Sequence, residues 1–85
     1  MAKVEIFTTT FCPYCIRAKA LLDAKGVSYT ETDLQGRPQE LADLKKRTGH
    51  MTVPQIFING TLIGGFSELR ALEDAGELDK RLATS

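Results

Sequence analysis

The chain has 85 residues, of which 11 are basic and 11 acidic, so its formal net charge is zero. That length predicts a single domain, residues 1–85, with a modest core, and an apolar fraction of 42% is ordinary for a globular protein. Because the chain has neither net charge nor a long run of lysine and arginine, it has no general attraction for nucleic acid or for a membrane surface.

The first part of the chain predicts a strand, a helix and a second strand. Residues 3–8 alternate and are rich in strand-forming residues. A helix is predicted over residues 13–25, since proline suits its first position and Gly26 can take the left-handed position that follows it. Residues 27–32 alternate apolar and polar side chains, which predicts a second strand, and residues 33–36 form a turn or loop. We expect the two strands to be parallel, in a right-handed βαβ unit.

The middle of the chain predicts a second helix and then a hairpin. The helix begins near Pro38 and stops at Gly49. Residues 55–58 form a strand, Asn59-Gly60 is a strong two-residue hairpin turn, and residues 61–63 return as the partner strand.

The last part of the chain predicts a third helix and a short final helical turn. Gly64-Gly65 ends the hairpin, and Ser67 is predicted to cap the helix, which ends at Gly76. Leu78 and Leu82 indicate a turn that packs back on the core. The order β-α-β-α-β-β-α predicts an α/β fold with a mixed sheet covered by helices.

Cys12 and Cys15 are the only cysteines, and they lie three residues apart where the strand pattern changes to a helix pattern. Two thiols at this spacing can close a small disulfide ring. A thiol at a helix N-terminus meets unpaired amide groups that stabilise its thiolate. We therefore predict a redox pair, with Cys12 as the exposed attacking thiolate and Cys15 as the more covered resolving thiol.

Three other interpretations of the cysteine pair are weaker. A structural zinc site needs about four ligands, and the chain offers no second cysteine pair and only one histidine, His50. Two inert buried thiols are disfavoured because the strand-to-helix junction exposes Cys12. A structural disulfide framework is also disfavoured, because two cysteines only three residues apart cannot connect distant parts of the chain.

Two further features stand out, although each has an ordinary structural interpretation. Val53-Pro54 precedes a predicted strand, where proline is permitted. Gly64-Gly65 precedes a predicted helix and is consistent with a plain turn, or with an anion site at the helix N-terminus.

These features together resemble the dithiol glutaredoxins over essentially the whole chain. The resemblance is carried by Cys12-Pro13-Tyr14-Cys15, by Thr52-Val53-Pro54 about forty residues later, and by Gly64-Gly65 about ten residues after that. It implies a thioredoxin-like fold with a four-stranded mixed sheet, and a cis peptide bond at Val53-Pro54.

The resemblance also implies glutathione as the partner and the reducing co-substrate, with no bound cofactor and no metal. The backbone of Val53 would pair with the cysteinyl part of glutathione, Tyr14 would lie against the tripeptide, and Phe66 and Ser67 would hold the γ-glutamyl end. The full set of expected glutathione contacts is Tyr14, Thr52, Val53, Pro54, Gly65, Phe66 and Ser67.

Three positions depart from the family pattern and give weaker candidates. Thr9 stands where many glutaredoxins have a lysine, and Ser67 stands where an aspartate often meets the amino group of glutathione, so that Glu68 would have to turn in instead. His50 stands where a basic residue is common, and it is a candidate for the glycyl carboxylate or a solvated loop histidine.

The function implied is a glutathione-dependent thiol–disulfide oxidoreductase that reduces protein disulfides and protein–glutathione mixed disulfides. One alternative is a [2Fe–2S] cluster carrier, which Pro13 disfavours. Another is a glutaredoxin-like protein reduced by thioredoxin reductase, which the departures at Thr9 and Ser67 motivate.

The expected location is the cytoplasm, where such a cysteine pair is catalytic rather than structural. We expect no signal peptide, because Lys3 and Glu5 interrupt the start of the chain, and no membrane span. The expected partners are glutathione and disulfide-containing or glutathionylated proteins, with no nucleic acid and no membrane. Nothing in the sequence requires more than a monomer.

Overall fold

The structure is a computed structural model, and it describes residues 2–83. Its elements are, in chain order, β1 (Val4–Thr8), α1 (Pro13–Ala24), β2 (Thr30–Asp33), α2 (Pro38–Thr48), β3 (Gln55–Ile58), β4 (Thr61–Gly64), α3 (Phe66–Asp74) and α4 (Leu78–Ala83). The predicted order of elements is confirmed, with the final helical turn present as α4.

The four strands form one mixed sheet in the order β2-β1-β3-β4. Strand β1 pairs with β2 in parallel and with β3 antiparallel, and β3 pairs antiparallel with β4 across the Asn59-Gly60 turn. The α/β class and the four-stranded mixed sheet are therefore confirmed.

The main core lies between one face of the sheet and the helices α1, α3 and α4. Alternate residues of β1 and β3 point into it, because successive side chains of a strand face opposite sides. The buried members of this cluster are Val4, Ile6, Ala18, Leu22, Ile56, Ile58, Leu69 and Leu78. On the opposite face, the rings of Phe7 and Phe57 meet edge to face at 5.7 Å, and Leu44 of α2 lies beside Phe7.

The second strand differs from its prediction. It begins at Thr30 rather than at residue 27, and it includes Asp33, which was predicted to start the turn. The parallel ladder begins only where Glu5 of β1 comes opposite Thr30. The preceding Val27 and Tyr29 pack against the core without joining the ladder. The strand predicted from the alternation of apolar residues was therefore too long at its start.

Ion pairs connect α1, the helix that carries the cysteines, to three neighbouring elements. At its C-terminal end, Lys25 Nζ lies 2.7 Å from Asp79 Oδ1 and 2.8 Å from Glu73 Oε1. The hydrogen bond with Asp79 raises the pKa of Lys25, and the hydrogen bond with Glu73 raises it by a smaller amount. Lys19 Nζ lies 2.9 Å from Glu31 Oε2, so α1 is tied to β2, α3 and α4.

No helix within residues 2–83 has the length and the apolar character needed to cross a lipid bilayer.

Candidate active site at a helix N-terminus

Cys12 and Cys15 form a disulfide at the start of α1, with their Cα atoms 5.1 Å apart. Cys12 is the N-cap residue and has extended backbone dihedrals, while Pro13 occupies the first helical position. Cys15 N–H points at Cys12 Sγ over 3.1 Å. The sulfur thus takes the place of the side-chain oxygen that normally accepts a hydrogen bond from the first turn of a helix.

The two sulfur-bearing residues differ in exposure, as the sequence predicted. Cys15 is buried, with 1% of its surface accessible, whereas Cys12 is half-buried. A reactant from solvent therefore reaches Cys12 before Cys15. This asymmetry gives a physical basis for different roles of the two thiols in the reduced protein.

A groove of about 440 Å³ lies beside the disulfide. This volume is within the range typical of small-molecule sites. Cys12 Sγ lies 3.8 Å from the carbonyl oxygen of Val53, and Val53 lines the groove. The groove is lined by Tyr14, His50, Thr52, Val53, Pro54, Gly65, Phe66, Ser67 and Glu68.

The structure thus brings together the seven residues that the resemblance assigns to glutathione, together with His50 and Glu68. Thr9 is the exception, because it is half-buried in the loop after β1 and does not line the groove. The peptide bond at Val53-Pro54 is cis, as the resemblance implies.

One wall of the groove is aromatic. The rings of Tyr14 and Phe66 lie 6.3 Å apart with a tilt of 31°. Arg17 places its guanidinium carbon 5.3 Å from the centroid of the Tyr14 ring, which is a cation–π distance. This stack joins the first turn of α1 to the first residue of α3, so the groove lies between two helix N-termini.

The start of α3 corrects one prediction. Its N-cap is Gly65, and Ser67 lies exposed within the first turn rather than at the cap. Glu68 turns back towards the helix start, where its Oε1 accepts the Gly65 N–H over 2.7 Å. The reason is local geometry: a glutamate at the third helical position can reach the N–H of the cap residue.

Gly65 also keeps one side of the groove open. A Cβ atom at this position would lie 3.4 Å from His50 Nε2 and from the Pro54 carbonyl oxygen. His50 Nε2 itself lies 3.2 Å from Thr52 Oγ1. The side chains of His50 and Glu68 therefore lie close to a position that has no side chain of its own.

Two polar residues behind the groove, Gln55 and Thr48, were not predicted from the sequence. Gln55 is fully buried at the start of β3, and its side chain accepts a hydrogen bond from Thr48 Oγ1 over 2.9 Å and donates one to the His50 carbonyl. A glutamine between Pro54 and an otherwise apolar strand was the signal that could have found it, since a buried polar group needs partners.

Several large apolar side chains close to the cysteines or to Val53 along the chain are exposed. Within residues 2–83 the exposed large hydrophobic residues are Phe11, Tyr14, Ile16 and Met51. Phe11 is 95% exposed, has a positive φ of 60° and immediately precedes Cys12. Each of the four lies within four residues of Cys12, Cys15 or Val53 along the chain.

Within residues 2–83, no group of three or more histidine, cysteine, aspartate or glutamate side chains is placed to hold a metal ion.

The sequence is similar to proteins of a known family. The sequence model of the Glutaredoxin family matches residues 4–63. A glutaredoxin of Pseudomonas aeruginosa is 51% identical over 83 residues, which cover 98% of this chain and 99% of the relative. Glutaredoxin 3 of Escherichia coli K12 is 51% identical over 82 residues, covering 96% of this chain and 99% of the relative.

A solved structure shows the same fold. The crystal structure of a buckwheat glutaredoxin–glutathione complex superposes with a TM-score of 0.89 at 32% identity. The match covers 96% of this chain and 77% of that protein. The expected thioredoxin-like fold is confirmed.

Proposed function

The chain belongs to the glutaredoxin family of thiol–disulfide oxidoreductases, and from that premise we propose that it takes its electrons from glutathione. The observation that carries this proposal is the groove beside Cys12, which is large enough for a small peptide and is bordered by Val53 and the N-terminus of α3. The solved relative that superposes on this chain is itself a glutathione complex.

The pose proposed for glutathione follows the lining of the groove. The extended backbone of its cysteinyl residue pairs with the backbone of Val53, which brings its sulfur towards Cys12. Its γ-glutamyl carboxylate lies at the first amides of α3, at Phe66 and Ser67, where a helix start favours an anion. Tyr14 covers the tripeptide from the side of α1.

In the proposed reaction with a glutathionylated protein, the Cys12 thiolate attacks the glutathione sulfur of the mixed disulfide. A new disulfide forms between Cys12 and glutathione, and the protein leaves as a thiolate that takes a proton. A second glutathione thiolate then attacks the glutathione sulfur, so that oxidised glutathione leaves and the Cys12 thiolate is restored. The Cys15 N–H and the helix N-terminus stabilise that thiolate.

With a protein disulfide, Cys12 attacks one sulfur and forms a mixed disulfide with the substrate. Cys15 then attacks Cys12, which releases the substrate as a dithiol and leaves the Cys12–Cys15 disulfide that the structure contains. Two glutathione molecules reduce this disulfide and leave as oxidised glutathione. The substrate gains two electrons and two protons, and glutathione supplies both.

Substitution of each cysteine tests the roles. Cys12→Ser is expected to abolish both activities, whereas Cys15→Ser is expected to keep the reduction of glutathionylated substrates and to lose the reduction of protein disulfides. Both are measured by NADPH consumption in an assay coupled to glutathione reductase. Full activity of Cys12→Ser would exclude the assigned roles.

The reductant itself is tested by comparing two coupled assays of the wild-type protein. Turnover with glutathione and glutathione reductase supports the proposal. Turnover only in the assay with thioredoxin reductase would show that this enzyme, and not glutathione, supplies the electrons.

A further inference from the structure

The loop that forms one side of the groove is held from behind by the side chain of Gln55. This residue begins β3 and has no accessible surface. Its amide oxygen accepts from Thr48 Oγ1 over 2.9 Å, and its amide nitrogen donates to the carbonyl oxygen of His50. One end of this buried side chain therefore binds the last residue of α2, and the other end binds the segment that joins α2 to β3.

Thr48 closes this arrangement into a ring of hydrogen bonds. It is the last residue of α2, and its hydroxyl group also lies 3.0 Å from the Leu44 carbonyl and accepts the N–H of His50 over 3.1 Å. The Thr48 hydroxyl group, the His50 backbone and the Gln55 side-chain amide are thus joined to one another by hydrogen bonds. The described structure leaves no buried side-chain nitrogen or oxygen without a partner.

The loop needs such a support because it has no regular secondary structure. Residues 49–53 lie between the end of α2 and the cis peptide bond before Pro54, and no helix or strand includes them. Within this loop His50, Thr52 and Val53 line the groove. The Val53 carbonyl oxygen lies 3.8 Å from Cys12 Sγ, so a shift of the loop changes the distance between the groove and the reactive sulfur.

We propose that Gln55 is a positioning residue for glutathione, which acts by holding the loop of residues 49–53 in a fixed position relative to the start of β3. The inference rests on the proposed function, because glutathione is the ligand whose position is set. An amide is suited to this role since it donates and accepts at once, whereas an apolar side chain does neither. Its loss leaves the part-buried carbonyl of His50 without its donor, and an unpaired polar group away from water lowers stability.

The main test is Gln55→Met, which keeps the length of the side chain and removes both hydrogen bonds. We expect the KM for glutathione to rise about tenfold, which corresponds to about 1.4 kcal/mol. The rate at which iodoacetamide alkylates Cys12, measured in a Cys15→Ser background, should stay within twofold of its value before the substitution. Amide hydrogen exchange should accelerate in residues 49–53 and remain unchanged in β1.

Two comparisons separate positioning from a general loss of stability. Ile58→Val removes one methylene from the main core on the other face of the sheet, and it should lower stability without changing the KM. Thr48→Val, which loses the hydroxyl group, should raise the KM in the same direction as Gln55→Met. Thr48→Ser keeps the hydroxyl group and should restore the wild-type KM. If Gln55→Met does not fold, the Thr48 pair carries the test.

The outcomes distinguish this inference from the function on which it rests. Wild-type turnover of glutathione together with an unchanged KM in Gln55→Met, or in Thr48→Val where that pair carries the test, would overturn the inference alone. A KM increase in Ile58→Val equal to that in Gln55→Met would overturn it as well. Failure of the wild-type protein to use glutathione would overturn the proposed function and the inference together.

Discussion

Gly64 is the position at which the structure makes the sharpest stability prediction. It is the last residue of β4, it is buried, and its φ is +122°, a conformation that side-chain-bearing residues rarely adopt. A Cβ atom at this position would lie 2.6 Å from Glu68 Oε1 and 2.8 Å from Glu68 Cγ. Gly64→Ala therefore strains the backbone and displaces the carboxylate that caps α3.

The expected cost is the sum of two effects. The backbone conformation costs an alanine about 1–3 kcal/mol. Displacement of Glu68 breaks the hydrogen bond of 2.7 Å from the Gly65 N–H, which contributes about 1 kcal/mol. We expect Gly64→Ala to lower the free energy of unfolding by about 2–4 kcal/mol, measured by urea denaturation with an unchanged m-value.

A double-mutant cycle with Glu68→Ala separates the two effects. Glu68→Ala alone should cost about 1 kcal/mol because only the cap is lost. In its background Gly64→Ala meets neither Oε1 nor Cγ, and only the Glu68 Cβ contact of 3.1 Å remains. The two substitutions should therefore be non-additive by about 1 kcal/mol, with the double mutant more stable than the sum predicts.

The control is Gly36→Ala, where φ is +79° but no atom lies within 4 Å of an added Cβ. It should cost about 1 kcal/mol and leave the KM for glutathione unchanged, whereas Gly64→Ala should also raise that KM through the start of α3. The reasoning is refuted if Gly64→Ala costs no more than Gly36→Ala, or if the cycle with Glu68→Ala is additive.

Three further predictions concern the backbone, the charges and the core. Phe11 has a φ of 60° and its side chain is 95% exposed, so Phe11→Gly should be more stable than Phe11→Ala by about 1 kcal/mol in urea denaturation. The pKa of Glu31 is lowered by hydrogen bonds from Lys19 and then Thr8, so its contribution is present above the unfolded pKa and is lost as the pH falls through the folded one. Glu31→Gln should therefore cost about 0.5–1 kcal/mol at pH 7, and the difference from wild type should shrink below about pH 4. Leu22→Ala removes a fully buried side chain of α1 and should cost about 3 kcal/mol, measured by thermal and urea denaturation.

Each of these three has an outcome that contradicts it. Equal stability of the two Phe11 variants would mean that the positive φ carries no strain. A stability difference for Glu31→Gln that grows below pH 4 would have the wrong sign for a lowered pKa. A cost of Leu22→Ala below about 1 kcal/mol would be inconsistent with burial in a close-packed core.

Much of the candidate site could be predicted because its signals are local. The spacing of Cys12 and Cys15, the proline between them and the change from strand to helix pattern all lie within about ten residues. They were enough to predict a redox pair with unequal exposure, and the structure has Cys15 buried and Cys12 half-buried. The order of elements and the Asn59-Gly60 hairpin followed from similarly short patterns.

Other predictions were wrong, and some features were missed, because these features depend on which segments meet in space. Ser67 was predicted to cap α3, but the N-cap residue is Gly65, and the Glu68 carboxylate accepts the hydrogen bond from the Gly65 N–H. The alternation from residue 27 looked like a strand, but pairing with β1 begins only at Thr30. Gln55 looked like an ordinary strand residue until its partners Thr48 and His50 were placed around it.

The sequence by itself determined that Cys12 and Cys15 can form a disulfide, because two cysteines three residues apart at the first turn of a helix lie within reach of each other. Only the tertiary structure decided how the groove is built, because Tyr14, Val53 and Phe66 come from segments up to about fifty residues apart. Local propensities act over a few residues, whereas packing of helices across a sheet brings distant segments together. The cysteine pair was therefore predicted from a few neighbouring residues, whereas the hydrogen bonds that join Gln55 to Thr48 and His50 were found only in the folded chain.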